Sequence, residues 1–289
     1  MDIRTIISKT DNYNLHAHSQ FCDGRDSMEE IAKAAGDAGM EYFAFTPHSP
    51  VDIDSPCNMK ISQMDEYLEE SSRLMESYSP DMRILTSLEI DYLGDDWGPH
   101  IDYFQMLPLD FRLGSVHFVP NQEGVLLDCD GRFERFLQYL KHGYGNDLRY
   151  VVEKYFEQVL MMLERGGVDL LGHFDKIAGN ASQADPEIEN QSWYEALVDD
   201  VISHVKGADV VMEINTKAYA DKSRFFPSDR WWNKIIEAEI PLAIDSDAHY
   251  ASKVTAGREE AFARLREFKS IDDLKNNRSL KNNRSLKKQ

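Results

Sequence analysis

Short apolar runs rich in β-forming residues, about seven in all, recur along this chain, and most lead into a longer segment with apolar residues at helical spacing. That rhythm admits few folds. It is the pattern of repeated strand–helix units around a parallel sheet or barrel, whose strands are covered on both faces and carry little polar alternation. The runs predict strands at Tyr13–His16, Glu41–Thr46, Arg83–Ile90, Arg112–His117, Val168–Gly172, Asp209–Ile214 and Pro241–Ile244. Helices are expected at Ser27–Ala38, Ser62–Tyr78, Leu148–Arg165, Trp193–Val205 and Thr255–Phe268. Ser27 followed by Glu30 has capping-box spacing and marks one helix start. With 289 residues, 42% of them hydrophobic, and no Pro/Gly/Ser-rich linker, a single α/β domain over residues 1–269 is expected.

Two stretches break the rhythm. Residues 118–146 carry Asn-Gln-Glu-Gly, Cys-Asp-Gly-Arg and Gly-Tyr-Gly-Asn and are too long for an ordinary connection, so they read as a loop insertion or lid near a site. From Leu274 to Ser285 the hexapeptide Leu-Lys-Asn-Asn-Arg-Ser occurs twice, and residues 270–289 read as a polar, basic, disordered tail.

Composition narrows the function. The N-terminal segment lacks an apolar signal-peptide core and no run of about eighteen apolar residues occurs, so a cytoplasmic protein without a membrane partner is expected. Cys22, Cys57 and Cys129 form no CxxC pair and suggest no disulfide framework. A net charge of −19 opposes a nucleic-acid backbone and favours cations and small substrates bearing an amine. Phosphate-binding loops of the Gly-x-x-x-x-Gly-Lys type, nucleophile elbows and dinucleotide fingerprints are absent.

Of the nine histidines, seven fall at or just past the ends of candidate strands or in the following loops, the active face of a βα barrel. His16 and His18 stand two apart on extended backbone, so both rings point to one side and Ala17 to the other. Asp247 and His249 repeat that spacing after the last strand, which in a closed barrel lies beside the first. His48, Glu89, His117 and His173 each end or follow a different strand, and Asp23 lies on a turn beyond His18. Neutral imidazoles with carboxylates suit zinc, iron or manganese, and a carboxylate such as Glu89 can bridge two ions. His142 and His204 are read as ordinary polar residues, and Asp91 and Asp102 as solvated acids; His100, in a loop after Glu89, is an intermediate case.

These motifs resemble the polymerase and histidinol-phosphatase (PHP) superfamily, in its monofunctional histidinol-phosphate phosphatase branch. The resemblance runs over roughly residues 12–268 and rests on Leu-His-Ala-His-Ser with Asp23-Gly24, Phe-Thr-Pro-His-Ser-Pro, Leu-Glu-Ile-Asp-Tyr, Leu-Gly-Ser-Val-His, Gly-His-Phe-Asp, Glu213-Ile-Asn-Thr and Asp245-Ser-Asp-Ala-His249. It implies a distorted (β/α)7 TIM-like barrel and three divalent transition-metal ions. One ion would be held by His16, His18, Glu89 and Asp247, a second by Glu89, His117 and His173, and a third by Asp23, His48 and His249. The chain departs from the family pattern at Pro47, where an acid is common, and after Glu-Ile-Asn-Thr, where relatives carry an arginine and this chain offers Lys217, Lys222 and Arg224.

The expected activity is hydrolysis of L-histidinol phosphate to L-histidinol and phosphate, a step of histidine biosynthesis. Metal ions would lower the pKa of bound water and act as Lewis acids on the phosphoryl group. Asp247 would orient the attacking oxygen, His100 or His249 would protonate the leaving alkoxide, and Lys176, Lys217 or Arg224 would clamp the phosphate. Asp52, Asp54 and Asp128 are candidates to meet the substrate's amine. Another small phosphate ester, or a metal-binding module without catalysis, are the alternative readings.

Overall fold

All seven apolar runs become parallel strands, most of them shorter than the run that predicts them. The structure, a computed structural model, describes residues 2–270. The duplicated tail lies outside the described residues from 271 onward. The strands are β1 (Tyr13–Asn14), β2 (Tyr42–Phe45), β3 (Arg83–Thr86), β4 (Glu89–Asp91), β5 (Leu113–Ser115), β6 (Phe118–Pro120), β7 (Leu126–Asp128), β8 (Leu170–Leu171), β9 (Val211–Asn215) and β10 (Leu242–Asp245).

Eight of these form two parallel sheets, ordered β1-β2-β3 and β10-β9-β8-β5-β4, while β6 and β7 make a separate antiparallel hairpin. The predicted strand Arg83–Ile90 is divided between β3 and β4 because the backbone changes partner there. β3 pairs with β2, whereas β4 pairs with β5. At the junction the Tyr67 hydroxyl donates to the Ser87 and Phe45 carbonyls, at 2.6 and 3.0 Å, and Ser87 donates to the Phe111 carbonyl.

The two sheets meet along two seams, each marked by one parallel bridge, Ala17 with Ala248 and His48 with Glu89. Beside the first bridge, Ser246 N–H donates to Asn14 Oδ1 and Ile244 N–H to the Tyr13 hydroxyl. Leu15, Ala44, Leu85, Leu113, Leu170, Val211 and Ala243, one from each predicted run, pack as one buried cluster. Ile3 and Ile6 join it from an N-terminal helix, Ile3–Lys9, that the apolar pattern did not single out.

The covering helices follow the sequence closely. Leu148–Arg165 is helical as expected, and it buries Val151, Val152, Tyr155, Phe156, Val159, Met162 and Leu163. Each such side chain contributes roughly 1.5–3 kcal/mol when fully buried. Ser27 caps Met28–Asp37 with both halves of the capping box formed. Residues 118–146 correct the loop expectation: they hold the β6–β7 hairpin and the helix Phe133–His142. Among the described residues no helix is long and apolar enough to cross a membrane.

Candidate metal centre

The parallel strands deliver their polar residues at one end. His16 and His18 follow β1, His48 follows β2, His117 follows β5, His173 follows β8, and Asp247 and His249 follow β10. Glu89 opens β4 where the second seam closes. Ala17 is fully buried and bridges Ala248, so both neighbouring imidazoles turn into the centre as the two-residue spacing required. Asp23 returns over the site through a turn so tight that a Cβ on Gly24 would lie 2.3 Å from the Ser19 nitrogen. Asp247 has a φ of 49°, a left-handed conformation uncommon outside glycine and characteristic of strained functional positions.

Glu89 lies at the middle and its two oxygens face different histidines. Oε2 stands 3.3 Å from His16 Nε2, 3.3 Å from His18 Nε2 and 3.1 Å from His48 Nδ1. Oε1 stands 2.9 Å from His173 Nε2 and 3.5 Å from His117 Nε2. Asp247 Oδ1 is 3.1 Å from His18 Nε2 and 3.3 Å from His249 Nδ1, and Asp23 Oδ1 is 3.2 Å from His249 Nε2. Three overlapping sets have ligand atoms close enough to share an ion: His16, His18 and Asp247; His48, Glu89 and His117; and His18, Asp23, His48 and His249.

The donor set fits divalent metal. Among the described residues Asp23 Oδ1 and His48 Nδ1 are buried without a hydrogen bond, although several candidate ligand atoms surround each. His16 Nε2 and His18 Nε2 face one another at 3.1 Å. Burial opposes charge on His16, but Glu213, Glu89 and Asp247 overcome it and raise the ring to about 10. His18 is also raised, burial being outweighed by Cys22, Asp247 and Glu89. Two rings that both seek a cation, with their nitrogens in contact, are satisfied by one shared ion better than by two protons. His48 and His249 go the other way, pushed down to about 3 and about 4, chiefly by burial and then by neighbouring cations, and stay neutral as ligands must.

Behind the ligands stands a layer of partners. His16 Nδ1 bonds Glu213 Oε1 at 2.6 Å, and His117 Nδ1 bonds Asp91 Oδ1 at 2.7 Å. Such carboxylates fix the tautomer and raise the basicity of a ligating imidazole. Asp91 therefore corrects the expectation of a solvated acid: it is 1% exposed and also accepts from Asn58 Nδ2 at 2.9 Å. Asp102 is exposed at a helix start, as expected. Glu213 had a visible signal, a carboxylate inside an apolar run, which must find a partner once buried.

The centre opens into a cavity of about 670 Å³ walled by residues 53–58, the insertion, Lys176 and Lys217. Lys217 Nζ lies 3.2 Å from Asp247 Oδ1 and 3.1 Å from His249 Nε2. Lys176 Nζ lies 3.5 Å from Asp130 and 3.9 Å from Asp247. Arg224 does not line the cavity; its guanidinium is forked onto Glu189 at 2.7 and 2.9 Å. His100 is also outside the lining, with Nε2 against the Asp95 carbonyl at 2.9 Å. His142 and His204 lie away from the centre, His204 Nδ1 bonding the Asp200 carbonyl within its own helix.

Parallel strands with this ring of imidazoles and carboxylates at one end define an α/β protein equipped to bind divalent metal. The chain belongs to the PHP domain family, whose model matches residues 14–217. It is 26% identical over 251 residues to the "Probable histidinol-phosphatase" of Schizosaccharomyces pombe, covering 81% of this chain and 79% of the relative. It is 26% identical over 269 residues to the histidinol-phosphatase of Bacillus subtilis, covering 83% and 94%. The fold is similar to that of histidinol phosphate phosphatase from Lactococcus lactis, solved with zinc, L-histidinol and phosphate: TM-score 0.69, 18% identity, 89% of this chain and 94% of that one.

Proposed function

We propose that this protein is a metal-dependent phosphomonoesterase that hydrolyses L-histidinol phosphate to L-histidinol and phosphate. The observation that carries the reading is Glu89, whose two oxygens each face a separate set of histidines at the floor of a cavity large enough for a small phosphate ester. The family and the named relatives support the substrate.

We further read the two sheets as the staves of one distorted (β/α)7 barrel over residues 1–269, supported by the two seam bridges and the cluster drawn from all seven runs. Three ions, zinc, iron or manganese, are the expected complement, supported by the three overlapping ligand sets. His173 adds Nε2 beside Glu89 Oε1 and belongs with the set containing His117.

Bound divalent ions would supply water activation and Lewis-acid stabilisation of the phosphoryl charge. The residues supply position and charge. Asp247 orients the attacking water, its Oδ2 held by Asn215 Nδ2 at 3.0 Å. Lys217 and Lys176, both on the cavity wall, attract the phosphate dianion, whereas Arg224 is committed to Glu189. Of the two histidines considered as proton donors, His249 is in the centre but held neutral, which suits a ligand; His100 is outside the cavity. The net charge of −19 supports a small substrate over nucleic acid, and a cytoplasmic setting fits such a metabolic enzyme.

The test is steady-state phosphate release by metal-reconstituted protein from L-histidinol phosphate beside an aryl phosphate, with and without chelator. A strong preference for histidinol phosphate, lost on chelation, is expected. Equal slow turnover of both esters would discard the substrate and keep the metallophosphatase.

A further inference from the structure

A histidinol phosphate ester also carries an amine, which the cavity must meet with groups other than those that face its phosphate. The floor of the cavity and its two lysines account for the anionic end. The rest of the wall comes from residues 53–58 and from the insertion, and it carries three acids: Asp54, Asp128 and Asp130.

These acids are not equivalent. Asp54 is exposed on its loop. Asp130 is engaged with Lys176 Nζ at 3.5 Å. Asp128, the last residue of β7, is fixed by its own turn: Oδ1 accepts the backbone N–H groups of Asp130 and Gly131 at 2.9 and 2.8 Å. Among the described residues its other oxygen, Oδ2, has no hydrogen bond or ion pair. Gly131 makes room for that oxygen, since a Cβ there would lie 2.4 Å from Oδ2.

The turn is in turn fastened to the metal centre. Cys129 N–H donates to the His117 carbonyl at 2.9 Å, and Asn180 Nδ2 donates to the carbonyls of Cys129 and Gly131 at 3.0 and 2.9 Å. The Asp128 carboxylate therefore stands at a fixed offset from His117, on rigid backbone. Burial pushes its carboxyl up, against the pull of the Gly131 N–H. A partly desolvated carboxylate with one oxygen uncompensated is unfavourable until a cation meets it.

We propose that Asp128 Oδ2 receives an ammonium group of the substrate, making it a specificity-determining residue. The ligand class is then a phosphate monoester with a primary amine a few atoms from the ester oxygen, its phosphate at the metal end and its amine at the insertion. Arg132 and Arg135 line the same wall, and a substrate bearing a carboxylate in place of the amine would select them instead. The inference rests on the phosphatase reading but can fail separately from it.

The experiment compares kcat/KM for L-histidinol phosphate, for the same ester lacking its amine, and for the analogue with a carboxylate at that position, in wild type, Asp128→Asn and Gly131→Ala, all metal-loaded. Asp128→Asn keeps an acceptor for the two N–H groups and puts a donor where Oδ2 stood. The wild type is expected to prefer the amine ester. Asp128→Asn is expected to lower that preference roughly ten- to hundredfold, through KM more than kcat, as for a lost charge-assisted hydrogen bond. Gly131→Ala, which displaces the carboxylate without removing it, is expected to shift the preference the same way and serves if the first variant does not fold. Undiminished preference in folded, metal-loaded Asp128→Asn overturns the role of Asp128, as does a wild type that prefers the carboxylate analogue or ignores the amine. A wild type inactive on all three esters overturns the phosphatase reading itself.

Discussion

Glu89 touches five imidazoles through two oxygens, and the chain achieves this by placing it at a seam where one strand run hands over to another. The histidines in turn need their outer nitrogens satisfied, and Asp91 does this for His117. Asp91→Asn is expected to weaken metal binding at the His117 set roughly 10–100-fold, the usual effect of removing a carboxylate behind a ligating histidine. Calorimetric metal titration reads it directly; unchanged affinity would show that Asp91 only anchors Asn58. The candidate ligands were legible in the sequence because they stand at strand ends, and the structure brings them within reach of one another. Asp91 and Glu213 were harder, since their role depends on which ring nitrogen they meet. Glu213 meets His16 across a separation of 197 residues.

At the scale of elements, local signals decided what could be read. The helix start at Ser27 was visible because Ser27 and Glu30 interact three residues apart, and both reciprocal bonds are present. Ser27→Ala is expected to cost about 1 kcal/mol in thermal or denaturant unfolding. Glu30's carboxyl is held below its usual range by the Ser27 hydroxyl and backbone N–H. A lowered pKa contributes stability that is present above the unfolded value and lost as pH falls through the folded one. An NMR titration of Glu30 should therefore show a midpoint below 4.5 in wild type and a return toward it in Ser27→Ala. The insertion was misread as loop because its strands are three residues each and flanked by turn residues. Their pairing is set by long-range anchors such as the Tyr144 hydroxyl on the Val119 carbonyl, at 2.7 Å, which no short window reveals.

For the molecule as a whole, the ligand sets cross both seams between the sheets. His18 from the first sheet meets Asp247 from the second across one seam, and His48 meets Glu89 across the other. Metal should thus act as a staple on the fold and not on the site alone. Ions present at a thousandfold excess over their dissociation constant would add about 4 kcal/mol per site. Chelation is expected to lower the thermal midpoint of the wild type markedly; an unchanged midpoint would mean that the seams hold without the ions. The parallel architecture was legible because repeated buried strands leave a strong periodic trace. The seams were not, because each rests on a single bridge and a few side-chain bonds.

The way the insertion is attached has a bearing on descent. It leaves directly after His117 and is fixed to that residue's carbonyl by Cys129, while supplying none of the candidate ligands. A hairpin joined to the core in this manner can be rewritten over most of its length while the candidate ligands below it stay in place. Divergence among proteins of this architecture would then be expected to concentrate there, new ester preferences arising by editing one appendage while the ancestral chemistry is inherited intact.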